Sequence, residues 1–189
     1  MDKKLKIVGI CGSLRKESLN RKALNASRKF FPPDVEFEIV EIGDMPFFNQ
    51  DLELNLPESV AKFREKIQSA DGILFAMPEY NYSVSAVLKN AIEWGSRPYG
   101  KAVLYGKPVG IMGVSTGMMG TGRAQYHLRQ ICVQVDMYPL NKPEVMIPLG
   151  MDKFDKEGSL IDVHSADKIE RLVNALVIWT SKLASVVVK

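Results

Sequence analysis

Lys6-Ile7-Val8-Gly9-Ile10-Cys11 (KIVGIC), followed at once by Gly12–Asn20 (GSLRKESLN), decides the fold. The first six residues are dominated by β-branched side chains, which favour a strand, and the run stops at Gly12. The next nine are rich in hydroxyls and charge, as a loop is. From there Leu19, Ala23, Ala26 and Phe30 recur at spacings of four, three and four, the period of a helix with one apolar face. The unit is strand, polar loop, helix.

Outward from it the same unit repeats. Val35–Ile42 (VEFEIVEI) alternates strictly and reads as a strand buried on one face, at an edge. Gly72–Met77 and Pro108–Val114 are continuous apolar runs, suited to central parallel strands covered on both faces. A fifth strand falls around Met137–Ile147, its register broken by Pro139 and Pro143. Between them run helical periods: Val60, Phe63, Ile67, Ala70; then Val84, Leu88, Ala91, Gly95; then Ala124, Leu128, Ile131, Val135. A last one carries Ile169, Leu172, Val173, Leu176, Thr180 and Leu183. Strands alternating with helices predict an α/β protein, with right-handed crossovers and a parallel sheet between two helical layers. Gly43–Pro57 is long for a strand–helix connection and unusually apolar, the mark of a functional or a packed loop.

The chain has 189 residues, 46% hydrophobic and 25% charged, which suits one domain over 1–189 and excludes a disordered chain. A formal charge of +3 argues against a nucleic-acid partner held by phosphate neutralisation. Cys11 and Cys132 have no companions at metal-ligand spacing, so neither a disulfide scaffold nor a metal site is expected. The basic start MDKKLKIVGICGSL has too short an apolar stretch for a signal peptide, and no run approaches a membrane span. A cytoplasmic protein is expected.

In such a sheet, ligands bind beyond the carboxyl ends of the strands. Three loops there carry chemistry. The first offers Ser13, Arg15, Ser18 and Asn20 at a helix N-terminus, a set of anion donors; equally, Ser18 is a helix cap and Arg15 a solvated side chain. The second, Pro78-Glu79-Tyr80-Asn81-Tyr82-Ser83, suits a planar, hydrogen-bonding ring, or else packs its tyrosines on the surface. The third, Ser115–Gly122, has glycines that let backbone approach a ligand. Together they describe a site for a phosphorylated planar cofactor. Neither a Walker A loop nor G-x-G-x-x-G is present, and Cys11 lacks the arginine six residues on that a small tyrosine phosphatase needs, since position 17 is Glu17. A Ser/His/Asp hydrolase is disfavoured, because the only histidines, His127 and His164, lie in or beside helices away from any nucleophile elbow. Trp94 and Trp179 fall in helices and read as core or interface residues.

Gly12-Ser13-Leu14-Arg15-x-x-Ser18-x-Asn20, the Pro78–Ser83 turn with Leu88-Lys89-Asn90-Ala91-Ile92-Glu93-Trp94, and Arg123–Gln130 occur in order at fitting separations. In these the chain resembles the NADPH-dependent FMN reductase family, nearest its bacterial quinone and chromate reductase branch. Glu93, where the family usually has Asp, and the C-terminal third depart from the pattern. The resemblance implies a flavodoxin-like fold with strand order 2-1-3-4-5 and non-covalent FMN. By position, Ser13, Arg15, Ser18 and Asn20 would hold its phosphate. Pro78, Glu79, Tyr80, Asn81, Tyr82 and Ser115 would line its ring, and Arg97 would attract an anionic acceptor or a nicotinamide phosphate. No catalytic side chain is implied, because the flavin carries the chemistry: NADPH or NADH gives a hydride, and a quinone, free flavin, azo compound or chromate takes two electrons in a ping-pong cycle. The contrasting reading is a flavodoxin-type electron carrier, against which Arg15 and the positive charge speak. A homodimer walling the flavin is expected, with Pro46, Phe47, Phe48 and Trp94 as apolar contact material. The resemblance adds pairing into a homotetramer through Arg123, Tyr126 and Glu144.

Overall fold

The computed structural model describes residues 4–187. β1 (Leu5–Cys11) leads into α1 (Leu19–Ser27), β2 (Val35–Val40) into α2 (Glu58–Ser69), β3 (Gly72–Ala76) into α3 (Ala86–Gly95), and β4 (Pro108–Val114) into α4 (Gly122–Gln134). Two short strands follow, β5 (Tyr138–Pro139) and β6 (Val145–Ile147), and then α5 (Val163–Val187). All pairings are parallel, in the order β2-β1-β3-β4-β5, with β6 also on β4. This is the flavodoxin-like order expected. The crevice of such a sheet lies at the carboxyl ends of β1 and β3, from which the chain crosses over in opposite directions, to β2 and to β4.

Alternation along the strands divides the core between two faces. Val8, Ile10, Ile73, Phe75, Val109 and Ile111 point to one side, against Val60, Phe63 and Ile67 of α2, Leu88 of α3 and Leu128 of α4. Ile7, Leu74, Met112 and Val114 point to the other, against Leu24 of α1 and Ile169, Leu172 and Leu176 of α5. Each such side chain, fully withdrawn from water, contributes about 1.5–3 kcal/mol. Both faces of β3 and β4 are covered, which is why those strands read as unbroken apolar runs.

Two elements differ from the sequence-based expectation. β2 ends at Val40 rather than Ile42, because its ladder with β1 stops at the Ile10–Val40 pair and a turn follows at Gly43, where an added Cβ would lie 2.9 Å from Leu14 Cδ2. The fifth strand is two pieces: β5 pairs with the start of β4 and β6 with its end, and the proline-bearing segment between them leaves the ladder.

The long 43–57 loop is a packed one. Pro46 O accepts from Asn90 Nδ2 and Trp94 Nε1, each at 2.9 Å, and Phe48 N donates to Asn90 Oδ1 at 2.7 Å. Phe48 meets the Trp94 indole edge-on, with centroids 5.0 Å apart. Trp94 is fully buried, so the apolar set expected to face a partner is largely internal, and only Pro46 and Phe47 stay outside. Trp179 is half-buried and donates Nε1–H to Tyr138 O of β5 at 2.9 Å. No helix among the described residues is long and apolar enough to cross a membrane.

Candidate functional site

The first loop is tied down at both ends. Gly12 N donates to Ala76 O at 2.8 Å, and Ser85 Oγ donates to Gly12 O at 2.6 Å, fixing the exit of β1 to β3 and to the start of α3. Ser18 has extended backbone (φ −70°, ψ 119°) and its Oγ accepts from Arg21 N at 3.2 Å, so it caps α1. Capping uses an oxygen lone pair, and the same Oγ lies 3.9 Å from Cys11 Sγ, a contact in which either atom can donate. Ser13 and Ser18 are 5% and 3% exposed, whereas Arg15 is exposed at the mouth. The first-turn N–H groups and dipole of α1 add positive potential.

Asn20 has a different partner from the one expected. Its Nδ2 donates to Val114 O at 3.0 Å and its Oδ1 accepts from Val114 N at 2.9 Å. The side chain thus completes the end of β4, holding the first and third loops together from below, and presents no free carbonyl to a ligand.

The second loop is strained. Asn81 and Tyr82 both have positive φ, 51° and 65°. Tyr80 N donates to Ser83 O at 3.1 Å and Ser83 N to Tyr80 O at 2.9 Å, closing a two-residue turn of the hairpin type. A non-glycine held there costs about 1–3 kcal/mol, and such strain gathers at ligand sites. Glu79, its carboxylate 7% exposed, accepts from Arg123 Nε at 2.5 Å and from Ala124 N at 3.2 Å, which places a negative charge at the start of α4. The Arg123 guanidinium carbon also lies 3.6 Å from the Tyr82 ring centroid.

In the third loop Ser115 Oγ donates to Gly117 O at 2.9 Å, and Gly150 N donates to Ser115 O at 2.8 Å. Gly120 has φ 54°, and a Cβ there would come within 2.7 Å of the Ile147 and Met146 backbone, so only glycine fits.

A cleft of about 110 Å³ opens between the loops. Ser13, Arg15, Ser18, Asn20, Pro78, Glu79, Tyr80 and Ser115 line it, joined by Leu19, Val114 and Thr116, which the sequence reading did not single out. Asn81 and Tyr82 stand outside it, and Tyr82 is 65% exposed.

Arg97 is not brought to this cleft as a free cation. Its Nε donates to Glu53 Oε1 at 2.6 Å and its Nη2 to Glu53 Oε2 at 3.3 Å, and this fork holds the guanidinium's pKa above its usual value. The long loop brings Glu53 there, and the pair neutralises the charge expected to draw an acceptor. Nor do Arg123, Tyr126 and Glu144 form one cluster. Tyr126 Oη donates to Glu144 Oε1 at 2.9 Å and Lys142 Nζ to Oε2 at 2.7 Å, while Arg123 turns to Glu79, whose near-buried carboxylate needs a cation. Lys142, then Tyr126, hold the Glu144 carboxyl below its usual range. The structure also pairs Ser83 Oγ with His127 Nδ1 at 3.1 Å. The sequence held one signal for these contacts: an acidic residue, Glu79, at a strand end, and a basic one, Arg123, opening a helix.

The family model for NADPH-dependent FMN reductases matches residues 5–152. An NAD(P)H-dependent FMN reductase of Pseudomonas aeruginosa is 46% identical over 184 residues, covering 97% of this chain and 99% of that protein. An NAD(P)H:quinone oxidoreductase of Solanum tuberosum is 42% identical over 186 residues, covering 95% and 94%. Among solved structures, a flavoenzyme NAD(P)H:(acceptor) oxidoreductase from Paracoccus denitrificans superposes with a TM-score of 0.87 at 35% identity, covering 94% of this chain and 98% of that one. With its sheet order, its three loops and these matches in agreement, the chain belongs to the NADPH-dependent FMN reductase family.

Proposed function

We propose that this protein is an FMN-dependent NAD(P)H oxidoreductase that reduces quinones and other acceptors, including free flavins, azo compounds and chromate, by two electrons per turnover. The observation that carries the reading is the convergence of the three loops on one cleft at the carboxyl ends of β1, β3 and β4. The residues present fit FMN. Two nearly buried hydroxyls, a guanidinium and a helix N-terminus suit a phosphate dianion, and the exposed turn beyond them suits a ring.

When bound, FMN supplies the hydride acceptor and donor that links a nicotinamide to the second substrate. The chain's own residues bind and orient it. Ser13 and Ser18 would donate their hydroxyl protons to phosphate oxygens, and Arg15 would balance charge at the mouth. Asn20 would keep the loops at their separation through Val114. Pro78, Glu79, Tyr80, Asn81, Tyr82 and Ser115 would shape the edge that the ring meets, with backbone N–H groups of the turn as donors. No side chain is required to carry a proton or a nucleophile.

The reading extends to assembly and place. An open ring face is walled by a second copy, and Tyr80, Tyr82 and Met118, which are 45%, 65% and 72% exposed, supply apolar contact around it. Tyr126 and Glu144 lie on a surface that suits pairing of dimers into a tetramer. Two buried free thiols suit a reducing, cytoplasmic compartment.

Steady-state kinetics of the purified protein test this, with NADPH and NADH against a quinone, an azo dye, chromate and free FMN. Parallel double-reciprocal plots, a yellow protein and release of the mononucleotide are expected. Absence of turnover without an added redox partner would overturn it in favour of a carrier. A monomer with full turnover would overturn the assembly.

A further inference from the structure

The strained turn after β3 is held from outside itself, and by a single helix. Arg123 and His127 lie four residues apart on α4 and so share a face. Arg123 makes two contacts at once: its Nε donates to Glu79 Oε1 at 2.5 Å, and its guanidinium plane covers the Tyr82 ring at 3.6 Å. One turn further along, His127 Nδ1 lies 3.1 Å from Ser83 Oγ. Between them Ala124 N donates to the second Glu79 oxygen at 3.2 Å. Glu79 and Ser83, on either side of the left-handed pair Asn81 and Tyr82, and Tyr82 itself are therefore each held by one stretch of α4.

We propose that Arg123 and His127 are positioning residues for the flavin site: they hold the 79–83 turn in its left-handed form before FMN arrives, so that the ring meets a prepared edge. The inference rests on the FMN reading above and goes beyond it in naming what prepares the turn. The chemistry of each residue suits the task. Only a planar, forked cation can grip a carboxylate by its edge and stack by its face, so lysine is no substitute for Arg123. Nδ1 of His127 pairs with the Ser83 hydroxyl in either tautomer, and an asparagine places an amide atom in a similar position.

The test uses the full-length protein with and without FMN, and three measurements. Hydrogen exchange of peptides spanning 79–83 reads the turn, flavin-fluorescence titration reads FMN affinity, and light scattering reads mass. Arg123→Ala should speed exchange in the turn and weaken FMN about tenfold, with Arg123→Lys restoring only a minor part. His127→Ala should weaken FMN about threefold, and His127→Asn should restore it. Peptides from β3 and β4 should exchange unchanged, which distinguishes a loosened turn from a misfolded chain. Normal turn exchange in Arg123→Ala, full rescue by Arg123→Lys, or changes that only follow a fall in mass would each overturn the proposal. A chain that takes up no FMN would overturn the flavin reading, and the exchange rates alone would then decide the clamp.

Discussion

The two ends of the cleft are built on opposite plans. At the end proposed for the phosphate the backbone is relaxed: Ser18 is an ordinary extended cap, and Ser13 and Ser18 are nearly buried. At the end proposed for the ring the backbone is strained at Asn81 and Tyr82, and the polar groups of Glu79 and Ser83 are already engaged by α4. On the proposed function, the difference follows from what each end would recognise. A charged, nearly spherical group is held by free donors from many directions, so the loop around it can stay unstrained. A flat ring is read by orientation, which needs an edge fixed in advance, and the fixing costs about 1–3 kcal/mol per left-handed residue.

The comparison can be tested in order of expected effect. Asn20→Ala removes the tie between the phosphate loop and β4 and leaves Val114 N and O without their partner. Chemical denaturation should show a loss of about 2–4 kcal/mol; a loss under 1 would mean the two loops are not coupled there. Arg15→Ala should leave stability unchanged and weaken FMN by about 1.5–3 kcal/mol, the worth of a charge-assisted hydrogen bond, as read by fluorescence titration. Equal affinity would reduce the phosphate end to its hydroxyls and helix terminus. Glu53→Gln releases Arg97 at a distance from both ends, and because the pair is partly exposed only a small loss of stability is expected. FMN affinity should not change, and a marked loss would extend the cleft to the long loop.

The smallest effects concern the two buried thiols, Cys11 at the carboxyl end of β1 and Cys132 in the last turn of α4. Burial pushes the Cys11 thiol up and the Cys132 thiol up to about 12 from an ordinary 9.0. Neither should react with an alkylating agent at pH 8 in the folded protein. A folded-state pKa above the unfolded one also fixes a sign: stability is full below about pH 9 and falls as pH rises from there toward 12. Unchanged melting temperatures between pH 8 and 10.5 would contradict it.

Much of the fold was legible because it rests on local pattern. Pro108–Val114 reads as a buried parallel strand and is one, end to end. The helical periods place every major helix, since each buries one stripe against the sheet. The fifth strand was legible only as a problem, for Pro139 and Pro143 forbid a continuous ladder without saying where the halves pair. The three loops of the site were legible because topology alone puts them on one edge. What escaped were partners set by distance in space. Arg97 meets Glu53, and Arg123 meets Glu79, across separations of 44 residues that no spacing rule reaches. Trp94 read as core or interface, and the choice between them was not legible because Pro46 and Phe48, which cover it, belong to a loop whose path is a tertiary matter.

The flanks of the sheet carry one more consequence. On one side β2 presents Glu36 and Glu38, held by Lys6 and Lys66; on the other the last strand is cut into pieces of two and three residues around proline. Charges and broken ladders both discourage a strand from another molecule from adding to a sheet. Strand addition from another copy is therefore disfavoured at both flanks. The assembly proposed above is thereby left to helices and loops, among them those that surround the cleft.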